Sequence, residues 1–304
     1  MQVRDSLKPT LELIKSLSLP DFPSGSSINF YQDNLFLIGD DANTILVLDA
    51  QYSHRSTIRL FEHPEKRIPK TIKQDFETST IVHVNGLDYL FVLGSGSRDN
   101  RTKCILIPLK DSLQENVYIQ SVDYRQFRDR LESMDFGEIN IEGSAVIGSH
   151  FIMSNRANGK NLVNRLIITE QSFWNNQRQS TISISTLVLP GNSNSAVGVS
   201  ELCYLPSNDT LLMTLSTELT DNTYQDGPVG DSYIGWIQNI GGKLDQPTIE
   251  LDGILNLAAC NPVFEGEKVE GICVERAYDG EFIIHLISDD DHGHSTLFKI
   301  KSNF

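Results

Sequence analysis

Carboxylate and hydroxyl side chains recur at five similar places in the chain, each at the start of a strand-like apolar segment. The five positions are Ser26, Glu77, Glu142, Ser200 and Glu270. Oxygen ligands of this kind suit a hard cation, and Ca²⁺ more than Mg²⁺ because its coordination is flexible. If the fold brings the five segment starts together, the sequence predicts a calcium site. A register shift of one residue would put Ser27 or Glu201 in the set instead.

Several carboxylates around one axis repel each other, and each then has a raised pKa unless a cation or a proton compensates. The same residues also fit a purely structural role. An acidic residue before glycine, as in Glu142-Gly143 and Glu270-Gly271, is also a common way to make a turn at a strand start. The repetition of the position in five segments is what favours the metal site over five separate turns.

Short apolar runs rich in β-formers dominate the sequence and must supply the elements that position these residues. They include NLFLIG, TILVLD, YLFVLG, CILIPL, TLLMTL and TLFKI, and most are bounded by Gly, Asn, Asp or Ser. Helical periodicity is clear only at residues 124–134, YRQFRDRLESM, which predicts one short helix between strands. The chain is therefore predicted to be all-β.

The strand-like runs group into five units that open near residues 26, 77, 142, 200 and 270. A repeating unit that returns to its starting point predicts a ring, so residues 1–304 are expected to form a single β-propeller of five blades. The last unit stops after its third strand, and we expect Thr10–Leu19 to supply its outer strand and close the ring. Two alternatives remain open: a sixth blade partly contained in residues 252–267, and a β-sandwich.

In a propeller, the loop after the second strand of each blade returns to the channel mouth where the first strand opens. These loops contain Asp40-Asp41, Arg98, Asn155-Arg156 and Lys160. Arg98, Asn155 and Lys160 are therefore predicted to bind a small anionic molecule, with the basic residues meeting phosphate or carboxylate. Acids and glycines in such loops are also ordinary turn formers, which is the competing interpretation.

Bulk charge and hydropathy exclude several classes of function. The formal net charge of −15 argues against a partner with a phosphate backbone, so no nucleic acid is expected. No apolar run approaches the roughly 20 residues that cross a bilayer, so no membrane partner is expected. The start MQVRDSLKPT lacks the apolar stretch of a secretory signal, and the chain as written is predicted to be cytoplasmic. The sequence leaves the oligomeric state open.

The five units resemble the calcium-activated nucleotidase (apyrase) family of five-bladed propellers. The resemblance lies in SSINFYQDNLFLIGDD, DFETSTIVHV followed by LGSGS, IEGSAV followed by MSNRANGKNLVNRLI, GVSELCYLP and VEGICV, one stretch in each unit. The C-terminal SDDDHGHSTLFKI also resembles phytase-like and esterase-like bacterial propellers. The first resemblance implies calcium ligands at Ser26, Glu77, Glu142, Ser200 and Glu270, and nucleotide hydrolysis at the adjoining mouth.

Three functions follow from these observations. The first is a metal-dependent phosphohydrolase in which Asp40 or Asp41 orients the attacking water and Arg156 holds phosphate, so these three residues are the predicted catalytic group. The second is a non-catalytic propeller that binds a ligand or a protein and has a structural channel metal. The third is a calcium-dependent lactonase or esterase, which needs no basic clamp for phosphate.

Overall fold

Five antiparallel sheets surround a common axis in the computed structural model, which describes residues 9–111, 117–134, 137–157, 162–190, 197–218, 229–278, 280–290 and 292–303. The sheets are the blades of a five-bladed β-propeller. The predicted fold class is therefore confirmed, and the alternatives of a sixth blade and of a β-sandwich are wrong. Residues 252–267 form a short strand and helical turns of the fourth and fifth blades rather than part of an extra blade.

The strands are numbered in chain order, and β1 (Thr10–Leu19) belongs to the last blade. Blade 1 consists of β2 (Gly25–Tyr31), β3 (Asn34–Gly39), β4 (Thr44–Asp49) and β5 (His54–Arg59). Blade 2 consists of β6 (Phe76–Val84), β7 (Leu87–Gly94), β8 (Lys103–Pro108) and β9 (Gln120–Asp123). Blade 3 begins with β10 (Ile141–Ile147), β11 (His150–Asn155), β12 (Arg165–Glu170) and β13 (Ser183–Val188).

Blade 4 consists of β14 (Val197–Leu205), β15 (Thr210–Glu218), β16 (Val229–Gln238) and β18 (Gly253–Asn256). Along the chain, β17 (Thr248–Glu250) lies between β16 and β18. Strand β17 leaves its own blade and pairs in parallel with β13, so blade 3 has a fifth strand that the repeat did not predict. Blade 5 consists of β19 (Lys268–Tyr278), β20 (Glu281–Asp289) and β21 (Ser295–Asn303), with β1 outermost.

Two α-helices and several 3₁₀ turns connect the described strands. They are α1 (Arg125–Ser133), α2 (Leu257–Cys260), and the turns Asp99–Arg101, Leu109–Asp111, Phe173–Asn175, Ile240–Gly242 and Pro262–Phe264. Helix α1 confirms the helix predicted at residues 124–134, and it packs through Phe127 and Leu131 into the seam between blades 2 and 3. Within the described part of the chain, no helix has both the length and the apolar character that a bilayer crossing needs.

Burial of apolar side chains between neighbouring blades stabilises the ring. The described residues form five apolar clusters, one at each seam, because alternate residues of the inner strands face the next blade. The seam between blades 2 and 3 is aromatic, with Phe91 stacked on Trp174 and edge-to-face with Phe151. Each seam therefore has its own core, and no single core fills the axis.

The two ends of the chain meet in blade 5. Strand β1 pairs antiparallel with β21 from Thr10 opposite Asn303 to Leu19 opposite Ser295, which confirms the predicted closure. The Ser295 hydroxyl donates to the Phe22 carbonyl (3.0 Å) and accepts from the Gly25 amide (2.9 Å), so it joins blade 5 to the start of blade 1.

A buried polar network lies in this closing seam. His285 on β20 contacts the Tyr52 hydroxyl of blade 1 through Nδ1 (3.0 Å) and the Glu275 carboxylate through Nε2 (2.9 Å). Lys299 Nζ lies 2.6 Å from the same Glu275 carboxylate. Burial lowers the pKa of His285 to about 4, with Lys299 acting in the same direction and Glu275 opposing it. The imidazole is therefore neutral at pH 7.

This network should make the fold sensitive to acid. The unfolded chain protonates His285 near pH 6.5 and the folded chain only near pH 4, so the contribution to stability is complete above pH 6.5 and falls as the pH drops towards 4. We expect urea unfolding at pH 7 and pH 4.5 to show a loss on the order of 3 kcal/mol from this group. The His285→Gln variant should lose that part of the pH dependence, whereas His150→Gln, at the exposed start of β11, should keep it. Equal acid sensitivity in native protein and His285→Gln would contradict this assignment.

Candidate functional site at the channel mouth

Each innermost strand has a register irregularity at the position singled out in the sequence. The shifts lie between Gly25 and Ser27, Phe76 and Thr78, Ile141 and Gly143, Val199 and Leu202, and Val269 and Gly271. A bulge leaves one residue out of the ladder and re-aims its side chain. The positions Ser26, Glu77, Glu142 and Glu270 are therefore structurally equivalent, and in blade 4 the irregularity contains both Ser200 and Glu201.

Three of these five side chains converge. Glu77, Glu142 and Glu270 come from blades 2, 3 and 5, and each offers a carboxylate oxygen within 4.8 Å of the other two. Glu142 and Glu270 are buried, and Glu77 is partly buried. We call this group the glutamate trio. It joins three blades through side chains that are more than 60 residues apart in sequence.

The two serines of the predicted set are bonded to protein groups instead. The Ser26 hydroxyl donates to the Phe76 carbonyl (2.6 Å), and the Ser200 hydroxyl accepts from Arg156 (2.6 Å). Both lie at the equivalent position in their blades. The oxygen cluster described here therefore consists of carboxylate oxygens of the three glutamates.

Two basic side chains border the trio. The Arg156 guanidinium lies 3.5 Å from Glu142 and 3.9 Å from Glu270, and it also donates to the Ser216 hydroxyl (2.8 Å). Lys268 Nζ lies 3.1 Å from Glu270. Arg156, predicted to hold substrate phosphate, therefore also connects blade 3 with blades 4 and 5.

A second oxygen cluster adjoins the first and shares Glu77 with it. Carboxylate oxygens of Asp40, Asp75 and Glu77 lie within 4.8 Å of one another. The buried ammonium of Lys73 contacts Asp40 Oδ2 and lies 2.8 Å from Asp75 Oδ1, and Arg101 lies 2.6 Å from Asp75 Oδ2. We call Asp40, Asp75 and Glu77 the aspartate cluster. Sequence reasoning missed Lys73 and Asp75, although Asp75 stands only two residues before Glu77.

Burial and neighbouring charge separate the pKa values of these acids. The pKa of Glu77 is raised well above its usual value by burial and by the charges of Asp75, Glu142 and Asp40, against which Lys73 only partly compensates. For Asp75, burial also raises the pKa, but Lys73 and Arg101 outweigh it and the net shift is downward. Positive charge, as a proton or a cation, is therefore favoured at Glu77.

The predicted catalytic aspartates lie at the edge of this cluster. Asp40 Oδ2 accepts from Lys73, while Asp40 Oδ1 is a buried atom with no hydrogen-bond partner among the described residues. Asp41 accepts from Arg67 Nε at 2.7 Å. The pKa of Asp41 is raised by burial and by Asp40, although Arg67 opposes both. Each aspartate thus has one buried oxygen without a hydrogen-bond partner among the described residues, and of the two, Asp40 belongs to the oxygen cluster with Glu77.

The three residues predicted to bind a small anion are Arg98, Asn155 and Lys160. Arg98 is exposed in the turn after β7. The Asn155 side chain accepts from the Asn140 amide (2.7 Å) and donates to the Glu138 carbonyl (3.2 Å), so it organises the strand start next to Glu142. Lys160 lies outside the described residues. Of the two that the structure describes, Asn155 is connected to the trio through Asn140, whose side chain donates to Glu142.

The side chain of Glu201 lies next to the mouth and bonds across the channel. It comes from blade 4, yet its carboxyl group accepts from Ser27 of blade 1 and from Thr78 of blade 2 (2.6 Å). The backbone amides of Ser144 (3.1 Å) and Leu202 (3.0 Å) also donate to it. Glu201 was only the alternative to Ser200 in the sequence, and it proves to be a buried hub that joins four blades.

Comparison with known proteins gives a family but no activity. Residues 21–301 match the family described as "Family of unknown function (DUF6929)". The chain belongs to this family. No curated protein gives a significant sequence match.

Solved structures of other propellers resemble this DUF6929 chain in fold. Glutaminyl cyclase from Myxococcus xanthus matches with a TM-score of 0.52 and 11% identity, covering 97% of each chain. Virginiamycin B lyase from Staphylococcus aureus matches with a TM-score of 0.41 and 11% identity, covering 96% of this chain and 99% of its own. Drosophila Semaphorin 1b matches with a TM-score of 0.45 and 8% identity, covering 92% of this chain and 75% of its own. At these identities the likeness shows the fold alone, and the resemblance to nucleotidases stays a prediction.

Burial raises the pKa of Glu201 to about 8, although the donors from Ser27, Thr78 and two backbone amides lower it. The folded chain therefore keeps a proton that the unfolded chain loses near pH 4.5, so the stability contributed by this group falls as the pH rises from about 4.5 to about 8. We expect Glu201→Gln to remove that slope and to be more stable than native protein at pH 8 in urea unfolding. Glu201→Ala should be less stable at every pH because it leaves buried donors unpaired. An unchanged pH slope in Glu201→Gln would contradict the assignment.

Proposed function

We propose that this DUF6929 protein is a calcium-dependent hydrolase that acts on a small carboxylic ester or lactone at the channel mouth. The proposal rests on one observation: three glutamates from three blades offer carboxylate oxygens within 4.8 Å of one another. The hydrolase and the calcium are inferences from that arrangement.

The donor set fits calcium by chemistry and by spacing. Its ligand atoms are all carboxylate oxygens, which a hard cation prefers. Two oxygens at about 2.3–2.6 Å from one calcium ion are separated by at most about 5 Å, and the trio falls within that span. The raised pKa of Glu77, caused by burial and by the charges of Asp75, Glu142 and Asp40 and only partly offset by Lys73, supports the binding of a positive charge there.

Bound calcium would act as a Lewis acid on a carbonyl oxygen. The protein groups beside it have separate tasks. Asp40 is the proposed general base, because its Oδ1 has no hydrogen-bond partner among the described residues and its carboxylate belongs to the cluster that includes Glu77. Lys73 holds the other oxygen of Asp40 and so fixes the direction of the first. Glu142 is oriented by the Asn140 amide, which donates to its Oε1 at 2.5 Å.

The surroundings of the trio favour a carbonyl substrate over a phosphate. Phosphate binding normally uses Arg or Lys side chains with donors directed at the ligand. Here Arg156 is bonded to Ser200 and Ser216 and faces two glutamates, and Lys268 faces Glu270. A neutral ester or lactone needs no such clamp. The glutaminyl cyclase of similar fold is named as an enzyme, so the fold is compatible with catalysis, and it gives no information on the substrate of this chain.

A second candidate is a binding propeller without catalysis, in which the metal is structural. The observation that favours it is the position of Arg156, which links blade 3 to Ser200 and Ser216 of blade 4 and approaches Glu270 of blade 5. A metal in the trio would connect the same parts of the ring. Turnover separates the two candidates, since both require calcium binding.

Calcium should bind to chelator-stripped protein with a stoichiometry of one and raise the melting temperature. Glu142→Gln should weaken calcium binding by at least ~100-fold, because changing even a group outside the ligand shell commonly costs about 10- to 100-fold. Isothermal titration calorimetry measures the stoichiometry and the affinity, and thermal melts with and without calcium measure the shift in melting temperature. Glu250→Gln, at an exposed position on β17, is the matched control and should bind like native protein. If native protein shows neither heat of binding nor a melting shift, the trio is not a calcium site.

Asp40→Asn should lose turnover and keep calcium binding. Removing a general base commonly lowers kcat by about 100- to 10,000-fold. Native protein and the variant would be assayed with 4-nitrophenyl acetate, a γ-lactone and 4-nitrophenyl phosphate, each with calcium and with excess chelator. Asp245→Asn, in an exposed turn, controls for the substitution type. Calcium-dependent turnover of the phosphate alone would favour the nucleotidase-like alternative, and no turnover of any probe would favour the binding propeller.

A further inference from the structure

The Lys73 ammonium lies where a second cation of the channel mouth would lie. It contacts Asp40 Oδ2 and Asp75 Oδ1, and these residues with Glu77 offer oxygens as closely grouped as those of the glutamate trio. The two oxygen groups share Glu77. The mouth therefore has two adjacent places for positive charge, and one of them is filled by the protein itself.

The position of Lys73 is unusual for a lysine. Its side chain is 6% exposed, whereas lysines are almost never fully buried unless they are paired. It enters the mouth from the loop before β6, and its pairing with Asp40 and Asp75 outweighs the cost of burial, so that its pKa is raised well above the usual value. The adjoining loop is fixed as well, since Asn100 donates to the Lys73 carbonyl (3.1 Å). The Lys73 ammonium is therefore charged at neutral pH.

We propose that Lys73 is a tethered cation that occupies the second cation position and limits the channel mouth to one calcium ion. The inference deepens the proposed function and rests on calcium binding at the trio. It assigns Lys73 a role in determining metal stoichiometry, which none of the sequence motifs indicated.

The consequence for chemistry is a choice between one metal and two. Enzymes with two metal ions about 3.5–4 Å apart stabilise both the attacking and the leaving oxygen of a phosphoryl transfer. With Lys73 in place, a metal at the aspartate cluster would have to displace its ammonium from Asp40 and Asp75, and Asp40 keeps one oxygen without a hydrogen-bond partner among the described residues. Lys73 thus determines that the mouth combines one ion with one carboxylate base, the arrangement expected for an ester or lactone.

The test counts calcium ions in native protein and in two variants that remove the charge. Lys73→Met keeps the length of the side chain, and Lys73→Gln keeps hydrogen-bond donors near Asp40 and Asp75 in case the apolar variant does not fold. Each protein is stripped with chelator, checked by circular dichroism and titrated with calcium chloride in a calorimeter. Lys268→Met is the matched control, because it removes a positive charge from the same mouth next to Glu270 but outside the aspartate cluster.

We expect one ion in native protein and in Lys268→Met, and two ions in the folded Lys73 variants, a doubling of bound calcium. One ion in native protein and still one in a folded Lys73 variant would overturn the role of Lys73 and leave the trio site intact. Two ions in native protein would also overturn it, without need of any variant. No ion in native protein but one in a Lys73 variant would support the role of Lys73 and overturn the calcium site of the trio.

Discussion

Like charges gathered at the propeller axis are the constraint on which the mouth depends. Asp40, Asp75, Glu77, Glu142 and Glu270 lie in two clusters that share Glu77. Separated from water, carboxylates this close cannot all stay ionised unless positive charge is brought to them. The chain supplies it with buried Lys73, Arg101 and Arg156, which come from different loops, and Lys73 and Arg156 link neighbouring blades. The residues that compensate the negative charge of the site therefore also help to hold the ring together.

Close approach of the inner strands makes this arrangement sterically possible. A Cβ at Gly143 would lie 2.9 Å from the Leu202 amide of the next blade, and one at Gly271 would lie 3.0 Å from the Ile28 amide. A side chain at either place would force neighbouring inner strands apart. The Glu-Gly pairs at residues 142–143 and 270–271 therefore combine two needs: a bulged acid that faces the mouth and a residue without a side chain where the next strand passes. Their glycines allow strand packing rather than a positive φ.

The repeat in the sequence was sufficient for the fold and for the position of the acids, because both depend on a pattern within each blade. The starts of the five units coincide with the five register irregularities, and the strand predicted at Thr10–Leu19 completes the last sheet as expected. Residues outside the repeated pattern could not be found in the same way. Lys73 lies in a loop, and only the closed ring brings its ammonium to Asp40. Glu201 was ambiguous by one residue, since a bulge hides the alternation by which strand faces are normally assigned.

The side chains around the channel mouth are distributed asymmetrically. Glu201 reaches from blade 4 to Ser27 of blade 1 and Thr78 of blade 2, so its carboxyl group joins inner strands on different sides of the channel. Around the mouth, Arg156 and Lys268 lie near Glu142 and Glu270, whereas Asp40 lies near Glu77. Asp40 also has one buried oxygen without a hydrogen-bond partner among the described residues. A molecule held at the trio would therefore have the basic side chains of Arg156 and Lys268 on one side and the carboxylate of Asp40 on the other. That asymmetry, imposed by unlike loops on a nearly repeated ring, is what a fivefold scaffold needs before it can act on one bond of a small molecule.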